Sequence, residues 1–241
     1  VIITGASGFV GVNLCDYLKS SHQTKSLSIR FSNNQLFEFN ADAIIHLAGK
    51  SHDLKNVFLP EEYYEANFEL TKQIFDAFLK SNASVFIFMS TVKAVSDEVN
   101  GILTEDSIPD PKTHYGIAKF QAEQYILSQK LTNDKRVIIL RPCMIHGPGN
   151  KGNLNLLYSL VSKGFPWPLG SFENQRSFLS IENLCFVTKE LLENKTINSG
   201  IYQVADDNPL STNEIINLLG TSLDKKSDIW NLPIKWVKRM A

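Results

Sequence analysis

A chain of 241 residues with 43% hydrophobic content is long enough to bury a full core, as one large domain or one domain with a smaller companion. Its 24 basic and 25 acidic residues leave a formal net charge of -1, which removes any bulk electrostatic reason to bind nucleic acid or an anionic membrane. The three cysteines, Cys15, Cys143 and Cys185, show no CxxC spacing, which argues against a zinc site or a disulfide framework and fits a reducing compartment.

The chain opens on a strand at residues 1–4, an apolar run that breaks at Gly5 and is too short for the apolar region of a signal peptide. The turn GASGFVG follows and leads into a helix predicted over 10–20. Gly5 allows a tight turn, Gly8 lets the backbone approach a pyrophosphate, and Gly11 lets helix and strand pack closely. The helix N-terminus adds donors and partial positive charge. Ser7, Phe9 and Val10 join the three glycines as candidates for binding a dinucleotide. The glycines are spaced three and three rather than two and three, so the strand before and the helix after carry this assignment.

A second strand, over 27–29, ends at Arg30. At this strand end an acid binds the adenine ribose hydroxyls of NAD, whereas an arginine accepts the 2'-phosphate of NADP. Arg30 has no Asp or Glu beside it, which favours NADP over NAD; the rival reading is a solvated surface charge. The stretch from here to the next strand, at 43–47, is too short for a helix and a further strand. Either a helix is trimmed here or residues are missing.

The strand at 43–47 ends in HLAG, whose small residues let a cofactor lie across the sheet edge, so Leu47, Ala48 and Gly49 are binding candidates. His46 reads as structural, because its strand is otherwise apolar. A helix predicted over 61–80 carries Asn67 in its interior, where asparagine is disfavoured, and this residue reads as organising a site through a backbone contact.

The strand at 85–89 leads to Ser90 and Thr91, and a helix over 115–130 carries Tyr115 and Lys119. A tyrosine and a lysine four apart share one helix face. The ammonium is expected to stabilise the phenolate and to bring a pKa normally near ~10 down towards working pH. Tyr115 is then the acid/base, Thr91 holds the reacting oxygen of a substrate, and a nicotinamide ring exchanges the hydride. A YxxxK alone arises often by chance; the hydroxyl pair at a strand end and the amphipathic helix give it weight.

A strand at 137–140 precedes Arg141, read as structural, and a short strand at 200–205 completes the sheet. The rhythm is α/β: a Rossmann-type doubly wound parallel sheet with a smaller C-terminal substrate-binding lobe. The first domain is expected over 1–146, with 176–205 returning to it, and the lobe over 147–175 and 206–241. In GPGNKGNL and ENQRSFLSIEN, Asn153, Leu154 and Arg176 are candidates for contacting phosphate oxygens. A salt bridge from Arg176 to Glu173 or Glu182 is the alternative. No metal site is expected. The basic, aromatic tail IWNLPIKWVKRMA reads as a helix of the lobe or a truncated end, ahead of a membrane-surface contact. No stretch of 18 apolar residues occurs, so no integral membrane segment and a cytoplasmic location are expected.

TGASGFVG, HLAG, Asn67, Ser90 with Thr91, YGIAK, RPCMIHGPG and RSFLSIENL stand in an order and spacing that resembles the extended short-chain dehydrogenase/reductase family. Within it, they resemble the NAD(P)-dependent nucleotide-sugar epimerase, dehydratase and 4-ketoreductase group. The resemblance implies a nucleoside diphosphate sugar as substrate and a Thr91, Tyr115, Lys119 triad. Thr91 would bind the sugar hydroxyl or ketone oxygen, Tyr115 would be the acid/base, and Lys119 would hold the nicotinamide ribose and tune Tyr115. Arg176 would grip the substrate diphosphate, with loop contacts from Asn153 and Leu154. Dehydratases of the group follow the Thr with Asp-Glu; Val92 and Lys93 stand here instead, so dehydration is not expected. Met144 stands where many UDP-glucose 4-epimerases carry Asn, and the GPGNKGN and ENQRSFLSIEN wording looks more like bacterial UDP-N-acetylhexosamine epimerases and 4-ketoreductases of surface-polysaccharide pathways.

The expected activity is therefore epimerisation at carbon 4 of a UDP-hexose or UDP-N-acetylhexosamine through a transient 4-keto intermediate. The alternatives are an NADPH-dependent 4-ketoreductase and, third, a non-catalytic dinucleotide sensor, whose kind typically lacks the Tyr or Lys. Relatives often pair through a four-helix interface, here the helices at Glu61 and Tyr115, so a homodimer is one expectation. Family members usually run longer, and part of the C-terminal lobe is expected to lie outside this sequence.

Overall fold

A computed structural model describes residues 1–51, 59–99, 101–150, 152, 154–233 and 235. Two compact units emerge, one from Val1–Cys143 with Ile181–Val204 and one from the described residues of Met144–Ser180 and Ala205–Ala241.

The first unit contains β1 (Ile2–Thr4), α1 (Phe9–Leu18), β2 (Lys25–Leu27), β3 (Ala43–His46), α2 (Pro60–Tyr64), a π turn (Glu65–Glu69), α3 (Leu70–Lys80), β4 (Val85–Met89), α4 (His114–Ser128) and β5 (Arg136–Pro142). The chain then passes through β6 (Met144–His146), α5 (Leu154–Ser162) and β7 (Phe178–Ser180) of the second unit. It returns with α6 (Ile181–Glu193) and β8 (Gly200–Val204), and ends with α7 (Thr212–Ser222) in the second unit.

The first unit's sheet has the order β2-β1-β3-β4-β5-β8, with every pairing parallel. From β1 the chain goes to one side for β2 and to the other for everything later. That reversal opens a crevice at the carboxyl ends of β1 and β3, where Gly5 and Leu47 follow their strands. Strands buried on both faces read as continuous apolar runs, and Ile44, Ile45, Phe86, Ile87 and Ile138 are fully buried. Side chains alternate between the faces. Ile44, Phe86 and Ile139 meet Ile74, Phe75 and Phe78 of α3 and Ala122 and Ile126 of α4 in one core cluster. Edge-to-face packing of Phe75 on Phe86, centroids 5.0 Å apart, helps fix that contact. Leu14 and Leu18 of α1 and Leu184 and Leu191 of α6, two helices packed together, are buried as well.

Two sequence expectations, the end of β2 and the helix at 61–80, need correction, while the stretch after β2 has no helix, in line with its being too short for a helix and a further strand. Residues 28–42 contain no helix; Phe39 is buried, and Phe31, Phe37 and Ala41 pack against the same core cluster, so an apolar loop covers the sheet where a helix would lie. β2 stops at Leu27 rather than at residue 29, which leaves the exposed Arg30 in irregular backbone beyond the strand end. The helix expected over 61–80 is broken by the π turn, an insertion that occurs often at functional sites.

In the second unit, β6 and β7 pair in parallel, and this pairing moves the unit boundaries to Met144 and Ser180. Arg176, expected in the returning segment, therefore lies in this unit, where its backbone bridges to Leu210. Trp167 bridges to Ile229, and its indole N–H donates to Asn213 Oδ1 at 3.1 Å. The capping box of Ser211 and Glu214 starts α7. No described helix is long and apolar enough to cross a membrane. Of the basic tail, residues 234 and 236–241 lie outside the described residues.

Candidate active site

The glycine-rich turn is shaped by three different constraints. Gly5 has φ +68°, in the left-handed region, and a Cβ there would stand 2.7 Å from Ala48 N. Gly11 must be small for packing, since its Cβ would lie 2.4 Å from Gly5 O. Gly8 donates its N–H to Gly5 O at 3.0 Å, and a Cβ on it would meet that oxygen alone, at 3.3 Å. Its outer side is open. Gly8 is also the N-cap of α1, with no side-chain cap, so the first N–H groups of the helix face an exposed turn formed by Ser7 and Gly8. Phe9 and Val10, both half-buried, begin the helix. A cradle of backbone donors with room above Gly8 fits a pyrophosphate.

Behind this turn runs a buried polar relay. Ala48 N–H donates to Thr4 Oγ1 at 3.2 Å, Thr4 Oγ1 lies 2.7 Å from His46 Nδ1, and His46 Nε2 lies 3.0 Å from Thr71 Oγ1. Thr71 uses its only hydroxyl proton on Asn67 O, at 2.8 Å. It can then only accept from His46, so Nε2 carries the imidazole proton and Nδ1 accepts from Thr4. Burial, reinforced by the charge of Lys119, lowers the His46 pKa to about 3, and the ring is neutral at working pH. His46 thereby ties β1, β3 and α3 together.

Asn67 lies at the centre of the π turn and is fully buried. Its Nδ2 donates to Lys50 O at 2.9 Å and to Tyr63 O at 3.1 Å, while Lys50 N–H donates to its Oδ1 at 3.1 Å. A Cβ on Gly49 would fall 2.4 Å from that Oδ1 and 3.5 Å from Lys119 Nζ. The exposed Gly49 backbone, Asn67 and the lysine thus converge at the carboxyl end of β3, with Leu47 and Ala48 lining the approach from the strand.

Thr91, two residues beyond β4, caps a short 3-10 turn (Val92–Ala94) by accepting from Lys93 N–H at 3.3 Å. Gly116 lets α4 come close to that turn, since a Cβ there would stand 2.4 Å from Lys93 O. This approach packs the start of α4, where Tyr115 lies, against the turn that Thr91 caps. One turn further, the buried Lys119 donates to Met89 O at 2.7 Å and lies 4.6 Å over the Phe88 ring. The three residues therefore meet at the end of β4.

Their protonation differs from the sequence expectation. Burial pushes Tyr115 up to about 12, opposed by the Thr91 hydrogen bond, instead of Lys119 drawing it down. Burial likewise pushes Lys119 down to about 7, opposed by the carboxylate of Glu123. The ammonium is spent on the Met89 carbonyl and the Phe88 ring, so desolvation dominates both groups.

Of the other candidates, Leu154 opens α5, Arg176 is exposed and makes no ion pair with Glu173, and Asn153 lies outside the described residues. Sequence reasoning passed over Thr4 and Thr71 of the relay and Glu123 beside Lys119; the only available signal was that each is a polar residue on an apolar face. Among the described residues no cluster of His, Cys, Asp and Glu is suited to a metal ion.

The model of the NAD dependent epimerase/dehydratase family matches residues 1–205. The chain is 32% identical over 265 residues to a UDP-glucose 4-epimerase of Vibrio cholerae, covering 97% of this chain and 78% of that protein. It is 27% identical over 252 residues to an N-acetyl-alpha-D-glucosaminyl-diphospho-ditrans,octacis-undecaprenol 4-epimerase of Escherichia coli O157:H7, covering 97% of this chain and 75% of that one. Among solved structures, MoeE5 in complex with UDP-glucose and NAD shares the fold, with a TM-score of 0.79 at 20% identity over 95% of this chain and 83% of its own.

Proposed function

We propose that this chain, which belongs to the NAD dependent epimerase/dehydratase family, is an NAD(P)-dependent epimerase acting at carbon 4 of a nucleoside diphosphate sugar, a UDP-hexose or UDP-N-acetylhexosamine. The observation that carries this reading is the meeting of Thr91, Tyr115 and Lys119 at the end of β4, with Lys119 Nζ reaching towards Gly49.

The turn over residues 5–11 would hold the dinucleotide pyrophosphate, and Lys119 its nicotinamide ribose. When bound, the nicotinamide supplies a reversible hydride acceptor and, oxidised, a positive charge. Tyr115 takes the proton of the carbon-4 hydroxyl on its phenolic oxygen and returns it after the 4-keto sugar has presented its other face. Before the sugar binds, Thr91 directs its one hydroxyl proton at Tyr115 and favours the phenolate that burial disfavours; with the sugar bound, that proton goes to the reacting oxygen. Lys119 as ammonium adds to the positive field that this phenolate needs. Arg176, with Leu154 and Asn153, is assigned to the substrate diphosphate, on the exposure of Arg176 and the geometry of a guanidinium. A cytoplasmic setting and a homodimer pairing α2, α3 and α4 with their copies complete the reading.

A second reading, an NADPH-dependent 4-ketoreductase, is favoured by one observation: Arg30 is exposed beyond β2, and no Asp or Glu occurs between it and Phe37. Incubation with candidate UDP-sugars, followed at the reduced-nicotinamide absorbance band, separates the two. Interconversion of sugars without net absorbance change supports the epimerase. Stoichiometric NADPH loss with a 4-keto sugar supports the reductase. Tight dinucleotide binding with neither outcome, across the UDP-hexoses and their N-acetyl forms, defeats both.

A further inference from the structure

Behind the site lies a buried ionic cluster that the proposed reaction does not touch. Glu123, one turn beyond Lys119 on α4, is 1% exposed, and Arg141 on β5 is 2% exposed. Arg141 Nε donates to the two carboxylate oxygens at 3.0 and 3.2 Å, and its Nη2 adds a bond of 2.6 Å. The Ser90 hydroxyl donates to the same carboxylate. Three donors, Arg141 Nε, Arg141 Nη2 and the Ser90 hydroxyl, thus converge on the Glu123 carboxylate. The cost of desolvating two charges cancels most of what such a pair gains, and Arg141 Nη1 is left without a partner, so stability alone does not account for it.

Both ends of the cluster adjoin the site. Ser90 precedes Thr91 in the chain, and its N–H is anchored on Leu140 O at 2.7 Å. Among the described residues, the titratable groups around Lys119 are Tyr115 and Glu123 on α4, His46 on β3 and, behind Glu123, Arg141 on β5. At neutral pH the phenol and the imidazole carry no charge and the guanidinium is positive, so Glu123 is the anion among them.

We propose that Glu123 is a positioning residue: clamped by Arg141 and Ser90, its carboxylate keeps the buried Lys119 in its ammonium form and fixes the strand end that presents Thr91. This rests on the reading that Lys119 acts in the site. Burial alone pushes Lys119 down, and Glu123 is the charge that opposes it.

The test is an NMR titration of the cofactor-free protein with carbon-13-labelled lysine, the Lys119 signal being identified by its loss in Lys119→Met. Glu123→Gln is expected to move the Lys119 midpoint lower by about one pH unit. Arg141→Met, which keeps the carboxylate, is expected not to lower it, whereas a purely structural cluster would give both variants the same disturbance. If Glu123→Gln fails to fold with Arg141 unpaired, the double variant Glu123→Gln/Arg141→Met is compared with Arg141→Met, and its midpoint is expected to be the lower of the two. An unmoved midpoint in a folded variant lacking the carboxylate overturns the inference, whatever the activity. In turnover measurements the alkaline fall of kcat/KM moves to lower pH with the midpoint; a midpoint that moves while this limb stays fixed supports the coupling and tells against the part given to Lys119 in the reaction.

Discussion

Asn67 and Lys50 exchange two hydrogen bonds at the carboxyl end of β3: the amide donates to the Lys50 carbonyl at 2.9 Å and accepts from the Lys50 N–H at 3.1 Å. A side chain on a π turn thus imitates a neighbouring strand and holds the Gly49 backbone against the crevice. Nothing larger than glycine fits at that point, because a Cβ would collide with the same amide oxygen.

Asn67→Ala removes these two bonds and the one donated to Tyr63 O, and the variant is expected to lose about 3 kcal/mol of stability at roughly 1 kcal/mol per bond. Because Gly49 borders the crevice, the dinucleotide Kd is expected to rise about tenfold or more, equivalent to about 1.4 kcal/mol. Asn67→Asp keeps the acceptor and loses the donor, and is expected to fall between wild type and alanine. Fluorescence titration with NAD and NADP checks this, and an unchanged Kd in Asn67→Ala would remove Asn67 from the binding machinery.

The glycines of the first turn separate folding from binding. Gly11→Ala would place a methyl 2.4 Å from Gly5 O and 2.6 Å from Ala6 Cα, so Tm is expected to drop. Gly8→Ala meets one atom, at 3.3 Å, and is expected to fold with nearly unchanged Tm while binding dinucleotide more weakly, because the methyl occupies the open side of the cradle. Differential scanning calorimetry with and without NAD reads both. Equal loss of Tm in the two variants would contradict the division of roles.

What the chain reveals in one dimension follows from locality. The central strands were legible because burial on both faces leaves only apolar residues, as at Phe86, Ile87 and Phe88. The stretch over 28–42 was legible only as too short for a helix and a strand; that Phe31, Phe37 and Phe39 cover the core was not, since they follow no helical period. The π turn was also hidden: one inserted residue barely disturbs the apolar pattern, and a lone Asn67 was its signal. At the site, the residue types of Thr91, Tyr115 and Lys119 could be read from spacing. The direction of their protonation could not, because burial and the Met89 carbonyl are set by the sheet and not by neighbours in sequence. The relay through His46 escaped for the same reason, its partners Thr4 and Thr71 being brought together only by the strand order.

Two buried bases give the cofactor-free protein a stability that rises with pH. The His46 pKa falls from 6.5 in the unfolded chain to about 3 in the fold, so between these values the unfolded chain binds a proton the native state refuses. That contribution is complete above pH 6.5 and is lost as pH falls towards 3. Lys119, lowered from 10.5 to about 7, acts in the same sense in its own window, adding stability as pH climbs from 7 to 10.5. Each group contributes a slope of at most about 1.4 kcal/mol per pH unit. Lys119→Met is expected to be more stable than wild type at pH 7 and to flatten the upper window while leaving the lower one. Urea unfolding across pH 4 to 9 checks it, and a slope above pH 7 that survives the substitution would show that Lys119 is not its source.

Tyr115 and Thr91 make separable predictions. Tyr115→Phe removes the only group in the triad that can exchange a proton with the carbon-4 oxygen, so turnover is expected to fall by about 10² or more, the scale of general acid–base catalysis, with dinucleotide Kd within about twofold of wild type. Thr91→Val keeps the shape and removes the hydroxyl that lowers the Tyr115 pKa against the push of burial. The reaction needs the phenolate, whose fraction grows as pH rises, so losing the Thr91 bond is expected to move the acid limb of kcat/KM to higher pH as well as to lower its plateau. If Thr91→Val lowers the plateau with an unmoved acid limb, Thr91 holds substrate only. If Tyr115→Phe turns over at the wild-type rate, the proton passes through another group and the assignment of the triad is wrong.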